Sequence, residues 1–481
     1  MASVFPDGEL DNAVELGAID ERSVRVWVRF AGHASVSASL ESLGRATVSQ
    51  TLVLSEQSDW TGVIVLSLAE PAPDAPFSVL VNDQRRVGRF APARGMAASL
   101  TFGFGSCHMP YAADESGQIV VREADASIYP AMRSDLQRAG GQLLLLAGDQ
   151  IYADGLEPFS VRANLPVDGD DPRPLDNLLD RYRRDYRGFF NQRGIRALRE
   201  NFPTLCIWDD HDIFDNWGST AEKSPIDHRL FAAACRAYGE YQHSRNPGGG
   251  GSDPPFHWLH RWGDIVIMAL DLRGARDYDS GTMLGMREWE WLQSWLTGDD
   301  AQRVSTLFVM SSVPVAHTAR WFTRGFDLVP ERFADSIRDR WSSTGFIDSR
   351  DALLDALFAW EAVAPNRQVI ILSGDVHCAS AFTIRQRDGA GVIHQVTSSA
   401  MTTRLTLEQM IFNRTVVHGT NLFERRYRFE RHFLSLANNY GGIRVEPLPN
   451  GGHRIIVAIR SWDAKRGRLR TTGRLILKPE A

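Results

Sequence analysis

The sequence predicts a layered α/β domain preceded by a small β-sandwich. Three observations support this fold class. The 481 residues exceed what one ordinary hydrophobic core holds. The first hundred residues contain short runs that alternate polar and apolar residues, which is typical of strands with one buried face. Beyond Pro92, unbroken apolar runs alternate with longer segments at helical spacing, as in layered α/β folds.

These elements divide the chain into an N-terminal β-sandwich over residues 1–98 and a larger domain over residues 99–481, which carries the polar motifs described below. The β-sandwich has predicted strands at residues 23–30, 35–40, 47–54, 61–68 and 77–81. The second part has predicted buried strands at residues 100–105, 143–147, 204–208, 265–270, 306–310 and 368–372. Helices are predicted at residues 125–139, 178–200, 229–243, 287–297 and 350–361, and further strands at 379–385, 392–397, 442–447 and 454–461. Four consecutive glycines predict a mobile surface loop over residues 246–255.

Composition excludes several classes of protein. A formal net charge of -6 argues against a nucleic-acid-binding surface, because such domains are usually basic. Four cysteines are too few for a disulfide framework in a chain of this length. Residues 1–14 carry three acidic side chains and no apolar run, and no stretch reaches the roughly 18 apolar residues of a membrane span. We therefore expect a cytoplasmic protein without a membrane span.

Polar clusters follow four of the predicted strands directly. They are Ser106-Cys107-His108, the segment Gly148 to Asp154, Asp209-Asp210-His211-Asp212 and Gly374-Asp375-Val376-His377. In layered α/β folds, loops that leave the carboxyl ends of neighbouring strands converge, and ligands bind there. The four clusters therefore predict a single site.

Taken singly, some of these residues also have structural explanations. Cys107 alone is typical of a small buried apolar residue, Asp149 of a helix cap or turn, and Tyr152 of half-buried packing. The three carboxylates around His211 are harder to explain without a cation, because like charges at such spacing repel one another. Asp375 and His377 are two residues apart, so on a strand end their side chains would point the same way.

Together the clusters supply carboxylates, a phenol, a thiol and imidazoles. This mixture suits iron, zinc, manganese or calcium better than magnesium alone. It favours a two-metal centre with an aspartate between the ions, in which hydroxide attacks a clamped phosphorus without a covalent enzyme intermediate.

The same motifs, with Leu270-Asp271-Leu272-Arg273 and Val14-Glu15-Leu16-Gly17, resemble the PhoD-type alkaline phosphatases and phosphodiesterases of the calcineurin-like metallophosphoesterase superfamily. The resemblance implies a four-layer sandwich of two mixed sheets flanked by helices. It implies two or more metal ions, Fe³⁺ with a divalent Ca²⁺, Zn²⁺ or Mn²⁺. Family members are often exported, so the resemblance does not by itself favour the cytoplasm.

The resemblance also implies roles for individual residues. Asp149 would bridge the metals, Cys107, Tyr152 and His377 would bind the ferric ion, and Asp210 and Asp375 would bind the second ion. His211 would stabilise the transition state or protonate the leaving oxygen, with Asp212 holding its ring and Arg273 contacting phosphate. The wider superfamily has an aspartate where this chain has Cys107, and a further metal histidine for which His317 is a poor match.

The predicted function is hydrolysis of a small-molecule phosphomonoester or phosphodiester. Two alternatives remain open from the sequence: phospholipase D-like activity on diesters, and a catalytically silent module that binds phosphorylated ligands. The sequence leaves the oligomeric state open.

Overall fold

The N-terminal part of the protein consists of seven strands in two sheets. The structure is a computed structural model and describes residues 3–42, 48–157, 159–163, 165, 174–219, 224–325, 337–417 and 422–479. The strands are β1 (Asn12–Ile19), β2 (Ser23–Phe30), β3 (Ser35–Ser42), β4 (Val48–Val53), β5 (Thr61–Ser67), β6 (Pro76–Val81) and β7 (Gln84–Arg89). One sheet has the order β1-β2-β5 and the other β4-β3-β6-β7. Their apolar faces enclose a separate core.

The predicted strands of this part are present. Thr47, the first residue of one predicted run, lies outside the described residues. The alternation rule missed β1 and β7 for opposite reasons. β1 is buried along nearly its whole length, so it does not alternate, and β7 is too rich in arginine to read as a strand. The domain division at residue 98 remains a prediction, and the chain changes sheets between Arg89 and Leu100.

The rest of the chain forms two larger mixed sheets. Strands are β8 (Leu100–Gly105), β9 (Tyr111–Ala113), β10 (Ile119–Val121), β11 (Leu143–Ala147), β12 (Thr204–Ile207), β13 (Trp258–Trp262), β14 (Ile265–Ala269), β15 (Thr306–Ser311), β16 (Gln368–Ser373), β17 (Ala379–Gln386), β18 (Val392–Thr397), β19 (Leu422–Glu424), β20 (Tyr427–Ser435), β21 (Asn439–Pro447), β22 (His453–Asp463) and β23 (Arg468–Leu477). One sheet has the order β12-β11-β8-β21-β22-β23, the other β13-β14-β15-β16-β18-β17-β20-β19, and β9 pairs with β10.

Helices pack against both sheets. They are α1 (Glu123–Ala126), α2 (Ile128–Ala139), α3 (Leu175–Asn191), α4 (Arg193–Asn201), α5 (Pro225–Tyr241), α6 (Met286–Thr297), α7 (Asp299–Gln302), α8 (Arg320–Gly325), α9 (Ile347–Glu361) and α10 (Leu407–Val416). The predicted helix over 178–200 is interrupted at Gln192, whose side chain caps α4 by accepting from the backbone N–H groups of Gly194 and Ile195.

Alternation along the buried strands produces the layers. In β11, Leu143 and Leu145 belong to the core between the two sheets, where Phe308 of β15 also lies. The intervening Leu144 and Leu146 pack on the other face, with residues of α2 and α4. Strands apolar on both faces are therefore sandwiched between a second sheet and a helical layer, which confirms the predicted fold class.

The glycine-rich segment 246–255 is irregular, as expected, but its beginning is anchored. The Asn246 side chain is buried, donates to the carbonyl of Cys206 at 2.8 Å and accepts from its N–H at 2.9 Å. Arg25 of the N-terminal part donates to the carbonyl of Gly249 at 2.5 Å. These contacts join the segment to both parts of the chain.

Candidate metal centre

The four polar clusters converge, but they come from two sheets. Parallel strands β8, β11 and β12 of the six-stranded sheet supply three of them, and β16 of the eight-stranded sheet supplies the fourth. Backbone hydrogen bonds tie the first two loops together, from Cys107 N–H to the carbonyl of Gly148 at 3.3 Å and from His108 N–H to that of Asp149 at 2.8 Å. The site therefore lies where the carboxyl ends of two facing sheets meet.

Two glycines allow this convergence. A Cβ at Gly148, whose φ is +102°, would lie 2.6 Å from the Cβ of Asp209. A Cβ at Gly374 would lie 2.4 Å from Ser106 Oγ and 2.6 Å from the carbonyl of Ala147. Because real Cβ atoms do not approach other atoms so closely, each glycine lets one strand end pass directly against another.

The first donor group combines Cys107, Asp149, Tyr152 and His377. Cys107 Sγ lies 3.2 Å from Asp149 Oδ2, and the Tyr152 hydroxyl lies 3.3 Å from the same oxygen and 3.2 Å from His377 Nε2. Donor atoms of Cys107, Asp149 and His377 all lie within 4.8 Å of one another. Thiol, carboxylate, phenol and imidazole thus face a common point, the arrangement that one ion with mixed ligands requires.

The backbone at this group is in a sparsely populated conformation. Cys107, Asp149, Asp375 and His377 have φ values of +59°, +54°, +61° and +52°. Each left-handed non-glycine residue costs on the order of 1–3 kcal/mol, and such residues concentrate at functional sites. Asp375 and His377 lie beyond the end of β16, in a tight loop. The prediction that they lie on a strand end is therefore wrong.

The second donor group consists of Asp149, Asp209 and Asp210, again with oxygens within 4.8 Å of one another. All three side chains are buried. Among the described residues, Asp149 Oδ1 and Asp209 Oδ2 have no hydrogen-bond partner. Buried carboxylate oxygens without donors are costly, and a cation between them is the simplest compensation. The donor chemistry therefore fits a pair of metal ions that share Asp149.

The pKa shifts of the donor groups also indicate that their anionic forms require a nearby positive charge. Burial, followed by the neighbouring carboxylates, raises the pKa of Asp149 well above its usual value. Burial and then Asp149 raise the pKa of the Cys107 thiol, and burial raises the pKa of Tyr152. Burial lowers the pKa of His377 to about 3, which keeps the imidazole neutral and able to bind a metal. The protein alone thus disfavours the anions that a bound metal ion would stabilise.

His211 lies beside this centre and is oriented by Asp154 rather than by Asp212. Its Nδ1 is 2.8 Å from Asp154 Oδ1, and its ring stacks on Tyr152 with centroids 4.2 Å apart. Although burial lowers it, the pKa of His211 is raised well above its usual value by Asp154 and then by other carboxylates. Asp154 ends the Gly148 to Asp154 motif, which was the signal that could have identified it.

Asp212 has a different place from the one predicted. Its carboxylate accepts from the backbone N–H of Asp209 at 3.0 Å and from Gln242 Nε2 at 2.8 Å. Burial raises its pKa to about 7. The predicted contact with the His211 ring is therefore replaced by a cap on the short 3-10 turn that carries Asp210 and His211.

Arg273 lies behind the carboxylates and is fully buried. Its guanidinium donates to Asp209 Oδ1 at 2.5 Å and to both oxygens of Asp339 at 2.6 and 3.0 Å, and it lies 3.3 Å from Asp210 Oδ1. These contacts and one to the carbonyl of Trp217 occupy the guanidinium. The predicted phosphate contact does not fit this arrangement, in which Arg273 positions Asp209 and Asp210.

The Asp375 carboxylate pairs with Arg340, a residue that no sequence motif identified. Among the described residues, Asp375 does not belong to the close donor groups, although its carbonyl lies 3.6 Å from Cys107 Sγ.

His317 is also absent from the close donor groups of the described residues, and its Nε2 contacts Asn413 Oδ1 at 3.3 Å. Ser399, equally missed, lies 3.0 Å from Cys107 Sγ and accepts from the N–H of His377 at 3.0 Å.

The model of the PhoD-like phosphatase family matches residues 115–430, well over half of the chain. The chain belongs to this family. Cys107 and the N-terminal strands lie outside the matched range. No curated protein matches the sequence.

Two solved structures show the same fold. "Structure of PhoD" matches with a TM-score of 0.68 at 16% identity, covering 100% of this chain and 91% of that one. The purple acid phosphatase PPD1 from yellow lupin (Lupinus luteus) seeds matches with a TM-score of 0.59 at 10% identity, covering 98% and 74%. Membership of the PhoD-like phosphatase family makes this protein a metal-dependent phosphoester hydrolase. Among the described residues, no helix is both long and apolar enough to cross a bilayer.

Proposed function

We propose that this PhoD-like protein hydrolyses small phosphomonoesters or phosphodiesters at a two-metal centre. Cys107, Asp149, Tyr152 and His377 would hold one ion, and Asp149, Asp209 and Asp210 would hold the other. Asp375, now paired with Arg340, would be an additional ligand of the second ion. The proposal rests on the pair of donor groups that share Asp149, in which Asp149 Oδ1 and Asp209 Oδ2 are buried and find no hydrogen-bond donor in the described ranges of the chain. The thiol and phenol favour Fe³⁺ in the first position, and the all-carboxylate group favours Ca²⁺, Zn²⁺ or Mn²⁺ in the second.

When bound, the two ions supply Lewis acidity to the phosphoryl oxygens and acidify the water that attacks phosphorus. The chain supplies the remaining functions. Asp149 sets the spacing of the centre, and Arg273 fixes Asp209 and Asp210 through contacts of 2.5 and 3.3 Å. Asp154 holds Nδ1 of His211, so Nε2 is the ring nitrogen on the side of Asp210 and Asp215, 3.8 Å from Asp215 Oδ1. We assign to Nε2 the proton that the leaving oxygen requires.

This assignment predicts separate losses for His211 and Asp154. His211→Ala should lower kcat roughly 10²–10⁴-fold, the usual contribution of a positioned acid or base. Asp154→Asn should lower kcat about 10–100-fold, because the ring loses the partner that orients it. Both variants should keep the metal content of the wild type. Asp300→Asn, at an exposed position, serves as the control; equal kcat values for Asp154→Asn and this control would contradict the role of Asp154.

Metal removal tests the function itself. The purified protein is assayed with p-nitrophenyl phosphate and bis-p-nitrophenyl phosphate, before and after chelation and after metal is restored. We expect hydrolysis to disappear with the metal and to return with it, and the ratio of the two rates to show whether monoesters or diesters are preferred. A metal-loaded protein that hydrolyses neither ester would contradict the proposal and favour a phospholigand-binding module.

A further inference from the structure

We propose that Arg340 is the side chain that binds the phosphoryl group of the substrate, an inference that rests on the function proposed above. A phosphoryl group at a two-metal site needs donors on the side that the ions do not reach, and a guanidinium offers two parallel N–H groups in a fixed plane. Sequence motifs pointed to Arg273 for this role, but its donors are occupied by buried carboxylates. Arg340 reaches the centre through its ion pair with Asp375, on the loop that also carries His377.

The backbone at Arg340 is held on both sides. The preceding Asp339 is buried and receives both guanidinium arms of Arg273, at 2.6 and 3.0 Å. The following Trp341 is also buried, and its indole N–H lies 3.2 Å from the carbonyl of Val313 and 3.3 Å from Ser311 Oγ. Because both neighbours are anchored, Arg340 projects from a rigid base rather than from a free surface loop.

The same anchors link Arg340 to the metal ligands. Asp339 is joined through Arg273 to Asp209 and Asp210, the carboxylates of the second donor group. Arg340 itself pairs with Asp375, the proposed additional ligand on the loop after β16. The guanidinium thus contacts the loop that carries Asp375 and His377, and its backbone neighbour is tied to the carboxylates of the second donor group. A substrate bound to the ions would lie next to this loop.

The contacts of Arg340 leave donors for a ligand. Within the described part of the chain, the one ion-pair partner of Arg340 is Asp375. The Asp375 carboxylate accepts from Nη1 of the guanidinium. The side chain is 15% exposed, whereas that of Arg273 is fully buried. Asp375 is also a proposed metal ligand, so a cation and Arg340 compete for one carboxylate. Metal loading would weaken that ion pair and leave the guanidinium fork for an anion.

Binding of inorganic phosphate to the metal-loaded protein tests this role without relying on turnover. We would titrate phosphate calorimetrically into the wild type, Arg340→Ala, Arg340→Lys and the control Arg338→Ala. Arg338 lies on the same segment, but its guanidinium carbon is 5.6 Å from the Tyr278 ring centroid, over that ring. We expect Arg340→Ala to weaken phosphate binding about 10–100-fold at unchanged metal content, as for loss of charged hydrogen bonds. The lysine variant should recover part of the affinity, and the control should match the wild type.

Three outcomes would overturn the inference: equal phosphate affinity in Arg340→Ala and the wild type, a metal content that falls in both Arg340 variants, or wild-type protein that binds no phosphate. The second would make Arg340 a positioning residue for the metal site. The lysine variant keeps the test decisive if the alanine variant fails to fold. Wild-type protein that binds phosphate but hydrolyses no ester would refute the proposed function alone, since the titration still decides whether Arg340 binds the anion.

Discussion

Asp149→Asn is expected to abolish both metal binding and phosphoester hydrolysis. Asp149 is the residue shared by the two donor groups, and Cys107 Sγ and the Tyr152 hydroxyl both contact its Oδ2. Loss of a supporting partner of a metal ligand costs about 10–100-fold. Loss of the shared ligand should exceed that range and bring turnover to background. Elemental mass spectrometry and the nitrophenyl ester assays measure the two effects on one sample.

The same variant should not destabilise the metal-free protein. Burial and neighbouring carboxylates raise the pKa of Asp149, so its charge opposes folding unless a cation is present. Asp388→Asn, at an exposed turn, is the matched control. Wild-type metal content in Asp149→Asn would contradict this role of Asp149. So would a metal-free variant that unfolds at a much lower denaturant concentration than the metal-free wild type.

Glu15→Gln is expected to lower the free energy of unfolding by about 3–5 kcal/mol, the usual cost of breaking a buried ion pair from one side. Glu15 of β1 is fully buried and pairs with Arg199 at 2.7 Å and with Arg245. Arg199 lies 3.4 Å over the Phe190 ring and Arg245 lies 4.6 Å over that of Trp27. Without the carboxylate charge, two guanidinium groups would remain buried together with no counter-ion in the part of the chain that the structure describes.

Chemical denaturation of Glu15→Gln measures the effect, with Glu41→Gln on an exposed position of β3 as the control. We expect the control to lie within about 0.5 kcal/mol of the wild type, as surface substitutions usually do. Comparable stability of the two variants would show that β1 does not depend on this ion pair for its attachment to the rest of the chain.

The sequence predicted the layers well because they depend on local patterns. The apolar runs that became β8, β11, β15 and β16 are buried on both faces, and such runs are readable without knowing their neighbours. The metal-ligand candidates followed from the same runs, since each polar cluster begins where a run ends. That two facing sheets contribute to the site did not follow, because strand order depends on pairing between distant segments.

The supporting residues were less predictable. Asp154 and Asp212 both belong to the candidate motifs. Which of them contacts the His211 ring depends on the backbone path of the two loops, and sequence spacing does not give that path. Arg340 belongs to no motif, and its approach to Asp375 is a purely tertiary contact. The same holds for Glu15 and Arg245, which are 230 residues apart in the chain. Residues that act through contacts between distant segments are difficult to identify from a single sequence.

Anomalous X-ray scattering from crystals of the metal-loaded protein decides whether two ions share Asp149, because it locates each ion and identifies its element. We expect one peak at roughly 2.0–2.3 Å from His377 Nε2 and Cys107 Sγ. We expect a second peak beside Asp209 and Asp210, about 3.5–4 Å from the first, with Asp149 between them. A fully loaded protein without an ion at Cys107, Asp149 and His377 would show that these residues are not the metal site.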